Sequence, residues 1–140
     1  MLAPLDHFKT VFNRLSANTI NLLEEIYAPD VVFRDPVHEL NGLSALRDYY
    51  GRLYQGVVSC HFEFESEVSD GSQAMLVWIM RFQHHRFRRG EMLDLRGVSH
   101  LKFSADGKVC YHHDYFDMGA FIYERTPLLG SVIRMIKNRL

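Results

Sequence analysis

The spacing of apolar residues divides the chain into segments of two different periods. Leu5, Phe8, Val11, Phe12 and Leu15 recur at three- and four-residue steps, which predicts an amphipathic helix over 5–15. Asn18 and Thr19 mark a break and a cap, and a second helix is expected over 20–27. Pro29-Asp30 reads as its stop, followed by a short β-rich strand over 31–35 that Pro36 ends. The segment HELNG (38–42) reads as a loop. Leu43, Leu46, Tyr50 and Leu53 then share one face of a helix over 43–54.

From Val58 the period becomes two. Cys60, Phe62, Phe64 and Val68 alternate with His61, Glu63, Glu65 and Glu67, the pattern of a half-buried strand. Asp70-Gly71 is a hairpin signal. A strand apolar on both faces at first follows over 74–84, then a basic turn within His85–Arg89. Two more strands, 91–103 and 108–118, flank a second hairpin at Asp106-Gly107. Thr126-Pro127 is a cap followed by proline at the first helical position. It opens a last helix whose apolar face carries Leu128, Leu129, Val132, Ile133, Ile136 and Leu140. This order is α+β, with helices covering one face of a strongly bent antiparallel sheet. The expected division is one domain over 1–122 and, over 123–140, an amphipathic helix packed on that domain or on a partner.

Composition narrows the functional classes. A chain of 140 residues buries roughly 70% of its surface on folding, enough for one good core. Sixteen basic residues balance seventeen acidic ones, so no global field recruits nucleic acid. Cys60 and Cys110 are too few and too far apart for a disulfide framework. The N-terminus lacks the pattern of a signal peptide and no stretch of 18 apolar residues occurs. A reducing, cytoplasmic setting is the expectation. Arg134, Lys137 and Arg139 make the last helix basic as well as amphipathic. Contact with a membrane surface and packing against protein are both open for it, packing being the expected one.

Four segments carry a family resemblance: YAPDVVFRDP (27–36), Asn41-Gly42 with Tyr49-Tyr50 seven residues on, SHLKFSADGKV (99–109) and YHHDYFD (111–117). Together they resemble the nuclear transport factor 2-like superfamily, in its SnoaL-like and ketosteroid-isomerase-like branch, over about residues 5–120. The resemblance implies a cone-shaped roll, in which a curved sheet wraps around helices and encloses an apolar pocket. It also implies a homodimer formed through the exposed sheet face, where Tyr111, His113 and Tyr115 would lie. The branch includes isomerases, cyclases, epoxide hydrolases, dehydratases and non-catalytic modules, so the fold leaves the function open.

The candidate chemistry rests on two carboxylates. Asp35 matches the Asp of the Asp-Pro pair that serves as general base in ketosteroid isomerases. It shares strand parity with Phe33, which points it inward. The alternative is that Asp35 ends a strand and caps the next loop. Asp114 shares one face of the last strand with Cys110, His112, Phe116 and Met118. That face is the inner one in the family, and SnoaL-like cyclases place an acid/base Asp nearby. A solvent-facing charge, or a pair with Arg96 or His100, is the alternative. Ser99 holds the position of the isomerase oxyanion-hole Asp, and Val11 or Phe12 that of its Tyr, so steroid isomerisation is not expected.

Tyr27, Phe33, Tyr50, Trp78, Ser99, His112 and Phe116 complete the expected ligand-binding set. His112 with Asp114, and the pairs His84-His85 and His112-His113, lack a third ligand at metal-binding spacing, so neither a metal nor another cofactor is expected. The expected ligand is an apolar small molecule. Two functions stay open: a cofactor-free acid/base isomerase, cyclase or hydratase acting on an apolar carbonyl or epoxide compound, and a non-catalytic binding or dimerisation module.

Overall fold

The structure, a computed structural model, describes residues 3–85, 90–117 and 127–139, the side chains of 127–131 and 133 excepted. The basic turn beyond His85, Met118, Thr126 and the boundary expected at 122 lie outside the described residues.

Helix α1 (Pro4–Phe12) buries Leu5, Phe8, Val11 and Phe12. It stops short of the predicted Leu15 because of Asn13. The Asn13 side-chain amide donates to the Phe62 carbonyl at 3.0 Å and accepts the Phe62 N–H at 2.7 Å. An Asn engaged in this way leaves the helical backbone for a strand edge. Leu15 is buried all the same. The predicted second helix is a short 3-10 helix, Ile20–Glu25, anchored by the fully buried Leu23.

Strand β1 (Tyr27–Arg34) starts earlier than expected, and Pro29-Asp30 lies within it. Its pairing jumps from Tyr27 opposite Val109 to Val32 opposite Tyr111. Proline has no N–H to offer a ladder, so the bulge falls where it sits. Part of the expected loop is a second strand, β2 (Glu39–Asn41), antiparallel to β1. Three largely exposed residues give no alternation to read. Gly42 follows with φ +95°, a conformation that glycine adopts without strain. Its N–H bonds the Val31 carbonyl at 2.7 Å and launches α2 (Leu43–Gln55) across the sheet.

Strands β3 (Val57–Ser69), β4 (Gln73–His84), β5 (Met92–Phe103) and β6 (Val109–Phe116) form the expected antiparallel meander. The whole sheet runs β2-β1-β6-β5-β4-β3 and is mixed, because β1 pairs parallel with β6. It curves around α1 and α2, and the core lies in the concavity. Val68 departs from its predicted inward direction. Phe64 pairs with Trp78 but Ser66 pairs with Val77, so Glu65 is an extra residue. One inserted residue exchanges the two faces beyond it, and Val68 is 71% exposed. The last helix, α3 (Pro127–Asn138), tethers to the body through Lys137 Nζ and Asp117 Oδ2 at 2.7 Å, and its Val132, Met135 and Ile136 are exposed. Among the described residues no helix is long and apolar enough to cross a membrane.

The core is rich in phenols. Burial raises Tyr27, Tyr50 and Tyr54 well above the ordinary tyrosine range, and burial followed by the Asp35 charge raises Tyr49. Two outcomes follow from this packing. Leu46→Ala should cost about 2–5 kcal/mol in urea unfolding and Val68→Ala less than about 0.5 kcal/mol; a core-sized loss at Val68 would refute the bulge. The second concerns alkaline pH. Above pH about 10 the unfolded chain releases phenolic protons that the native chain keeps, so stability is level below that pH and falls as pH rises beyond it. Tyrosinate absorbance from these four residues should therefore appear together with the loss of circular dichroism. Its full appearance in a folded chain would refute their burial.

Candidate functional site

The concave side of the sheet holds a cavity enclosing about 110 Å³. Strand parity supplies most of its wall. Trp78, Met80, Phe82 and His84 come from alternate positions of β4, Cys60, Phe62 and Phe64 from β3, and His112, Asp114 and Phe116 from β6. Six residues separate Trp78 from His84, so the cavity follows β4 for roughly 20 Å. α1 contributes Phe8 and Phe12, and α2 contributes Tyr49, Tyr50, Leu53 and Tyr54. Phe33, Asp35, Val57, Leu95 and Ser99 complete it. The lining is overwhelmingly apolar, with its carboxylates confined to Asp35 and Asp114.

The two carboxylates differ in what remains of their hydrogen-bonding capacity. Asp35 Oδ1 accepts the backbone N–H groups of Val37 at 2.8 Å and His38 at 2.6 Å, and lies 3.1 Å from His38 Nδ1. Its Oδ2 accepts the Tyr49 hydroxyl at 3.0 Å. The side chain is only 5% exposed. Asp35 therefore lines the cavity and also caps the loop after β1, with both oxygens engaged.

Asp114 is arranged differently. Its Oδ1 accepts both the Ser99 hydroxyl at 2.5 Å and His112 Nε2–H at 2.6 Å. Among the described residues nothing donates to its Oδ2. Each donor is itself held. Trp78 Nε1–H donates to Ser99 Oγ at 2.8 Å. An indole nitrogen can only donate, so the hydroxyl proton of Ser99 has one direction left, towards Asp114. On the other side a carboxylate can only accept, so His112 carries its proton on Nε2. In that tautomer Nδ1 is the acceptor for the Tyr27 hydroxyl at 2.6 Å. The His112 ring is 1% exposed and caged by Phe8, Phe12 and Phe33 at centroid distances of 5.6, 6.1 and 5.0 Å, with Tyr27 stacked on it at 5.9 Å.

Of the residues expected from sequence, Asp35, Asp114, Phe33, Tyr50, Trp78, Ser99, His112 and Phe116 line this one cavity. Tyr27 is not part of the lining and stands behind it, with its hydroxyl on His112 Nδ1 and its ring against Phe8 and Phe12. Arg96, the alternative partner of Asp114, instead pairs with Glu65 at 2.9 Å, and His100 bonds Gln73. Tyr49 escaped the sequence reading because it lies about 100° around the helix from Tyr50, off the apolar stripe. The adjacent Tyr-Tyr pair was the signal that could have found it. Cys60 also lines the cavity, but burial pushes its thiol up to about 11, which keeps it from acting as a thiolate near neutral pH. Among the described residues no three His, Cys, Asp or Glu side chains gather to hold a metal.

Comparison with known proteins places this geometry. Residues 8–112 match the family model of the SnoaL-like domain, which ends two positions before Asp114. A cyclase of Calcarisporium arbuscula, aurE, is 26% identical over 113 residues, 79% of this chain and 82% of that protein. Among solved structures, a nuclear transport factor 2-like protein of unknown function from Burkholderia pseudomallei superposes with a TM-score of 0.74 at 15% identity, over 90% of this chain and 99% of that one. A Shewanella putrefaciens protein assigned as a SnoaL-like polyketide cyclase gives 0.71 at 22% identity, over 86% of this chain and 94% of that one. A nuclear transport factor 2-like cone closed around an apolar cavity, and a family match spanning three quarters of the chain, lead to one conclusion: the chain belongs to the SnoaL-like domain family.

Proposed function

We propose that this protein is a cofactor-independent acid/base enzyme that isomerises, cyclises or hydrates a slender apolar carbonyl or epoxide compound, with Asp114 as its acid/base. The observation that carries the reading is that Asp114 Oδ2, unlike Oδ1, accepts from nothing among the described residues. A carboxylate oxygen with no other donor among the described residues, set in an apolar wall, can take a proton from a bound carbon or water and, once protonated, return it to a carbon or oxygen of the same ligand. Asp35 has no such vacancy, so its part is to hold the loop and Tyr49 at the cavity. The similarity to a fungal cyclase is in keeping with this class of reaction.

The cavity also limits the ligand. An apolar wall drawn out along β4 suits an elongated apolar molecule. Two features argue against steroid isomerisation. The positions expected to supply an oxyanion hole hold Ser99, whose proton is committed to Asp114, and the apolar Val11 and Phe12.

The test uses unsaturated ketones and apolar epoxides in D2O. Ligand entry is followed by quenching of Trp78, the chain's single tryptophan, and proton transfer by deuterium incorporation or ring opening. Asp114→Asn should slow transfer by about 100-fold or more while quenching persists. Asp35→Asn should keep transfer and lose about 1–3 kcal/mol of stability. Tight quenching with no transfer by the wild-type protein across the panel would favour a binding module instead. Transfer that survives in Asp114→Asn would remove Asp114 from the role.

A further inference from the structure

Gly97 lies directly opposite Trp78 across the β4–β5 ladder. A Cβ placed on Gly97 would fall 2.3 and 2.4 Å from two atoms of the six-membered ring of that indole, nearer than real Cβ atoms come. The Trp78 ring therefore occupies the space of the missing side chain and lies across β5. In that pose its Nε1 reaches Ser99, two residues further along the same strand. Phe62 braces the ring edge-on at 5.6 Å, and Phe116 packs beside it at 6.5 Å.

We propose that Gly97, Trp78 and Ser99 form a positioning chain that aligns the Asp114 carboxylate and keeps its Oδ2 turned to the cavity. The proposal rests on the reading of Asp114 as the acid/base and assigns roles to residues that need not touch a ligand. Its logic is serial. Gly97 gives room for the indole, the indole N–H fixes the rotation of the Ser99 hydroxyl, and that hydroxyl delivers its proton to Oδ1. Without the indole, Ser99 Oγ–H is free to turn elsewhere. Ser99 is then not a ligand donor in this chain, although the position belongs to the oxyanion hole in the isomerases that the sequence resembles. A donor to a carboxylate favours its ionised form, so each break in the chain should make Asp114 easier to protonate.

The other titratable groups around Asp114 are the same in every variant: His112 and His113 from β6, Tyr27 from β1, Tyr49 and Tyr50 from α2, and Asp35 on the same cavity. Differences between variants therefore report the chain. The measurement is the titration of the Asp114 carboxyl carbon by 13C NMR, with the one indole N–H signal as a second readout. Ser99→Ala should raise the midpoint by about one pH unit or more, and Ser99→Thr should restore it. Trp78→Phe should raise it by less, because the hydroxyl survives but is no longer aimed. The double variant should match Ser99→Ala alone, since a broken link makes the next one silent.

Gly97→Ala keeps Trp78 yet displaces its ring. It should raise the midpoint as Trp78→Phe does and remove the exchange protection of the indole N–H, and it stands in if Trp78→Phe does not fold. Additive shifts in the double variant, or an unmoved Asp114 in Gly97→Ala or Trp78→Phe, would overturn the chain. The midpoints do not depend on any reaction. If they move as expected while Asp114→Asn still transfers protons, the chain stands and the catalytic reading falls.

Discussion

A carboxylate in an apolar wall is costly unless something donates to it, and Ser99, His112, Trp78 and Tyr27 together answer that cost at Asp114. Ser99 and His112 both spend their donors on Oδ1. Each is oriented from behind, Ser99 by the Trp78 indole and His112 by the Tyr27 phenol. The network thus joins β1, β4, β5 and β6 through side chains on the concave face, where the backbone ladders join them at the edges. Tyr27 has no route to solvent, and burial keeps it a neutral phenol, a donor whose proton is not lost near neutral pH. The consequence is asymmetric: Oδ1 accepts two hydrogen bonds and Oδ2 accepts none among the described residues.

Asp35 shows the same principle resolved the other way. It too is buried against the cavity, but it draws its donors from the backbone of its own loop and from Tyr49. A carboxylate filled by local N–H groups behaves as a turn element, whatever its place in a family motif. Two acids on one cavity wall therefore do not make two equal candidates; the count of unused lone pairs separates them.

Much of this was legible in the sequence. Period-two alternation grouped Trp78 with Met80 and Phe82, and His112 with Asp114 and Phe116, and the family resemblance set the second group inward. Where the reading slipped, a side chain or an inserted residue overrode the local pattern. Asn13 left its helix to bond Phe62, Glu65 reversed the faces beyond it and sent Val68 outward, and Pro29 sat in a bulge of β1 where it read as a stop. The parallel pairing of β1 with β6 joins residues some eighty positions apart, and no local signal encodes it. Nor could spacing reveal which carboxylate was already satisfied. That depends on loop N–H groups for Asp35 and on a tryptophan seated over Gly97 for Asp114, both of them tertiary facts.

The account turns on one atom, Asp114 Oδ2, as the point where the cavity meets a ligand's polar end. The most direct measurement is a crystal structure with a 4-alkylphenol, a narrow apolar molecule with a single O–H donor. The account predicts the phenol oxygen within hydrogen-bond distance of Asp114 Oδ2, with the alkyl chain running along β4 past Met80 towards His84. A phenol bound with its oxygen on Asp35 or Tyr49, or its tail against Asp114, would contradict it.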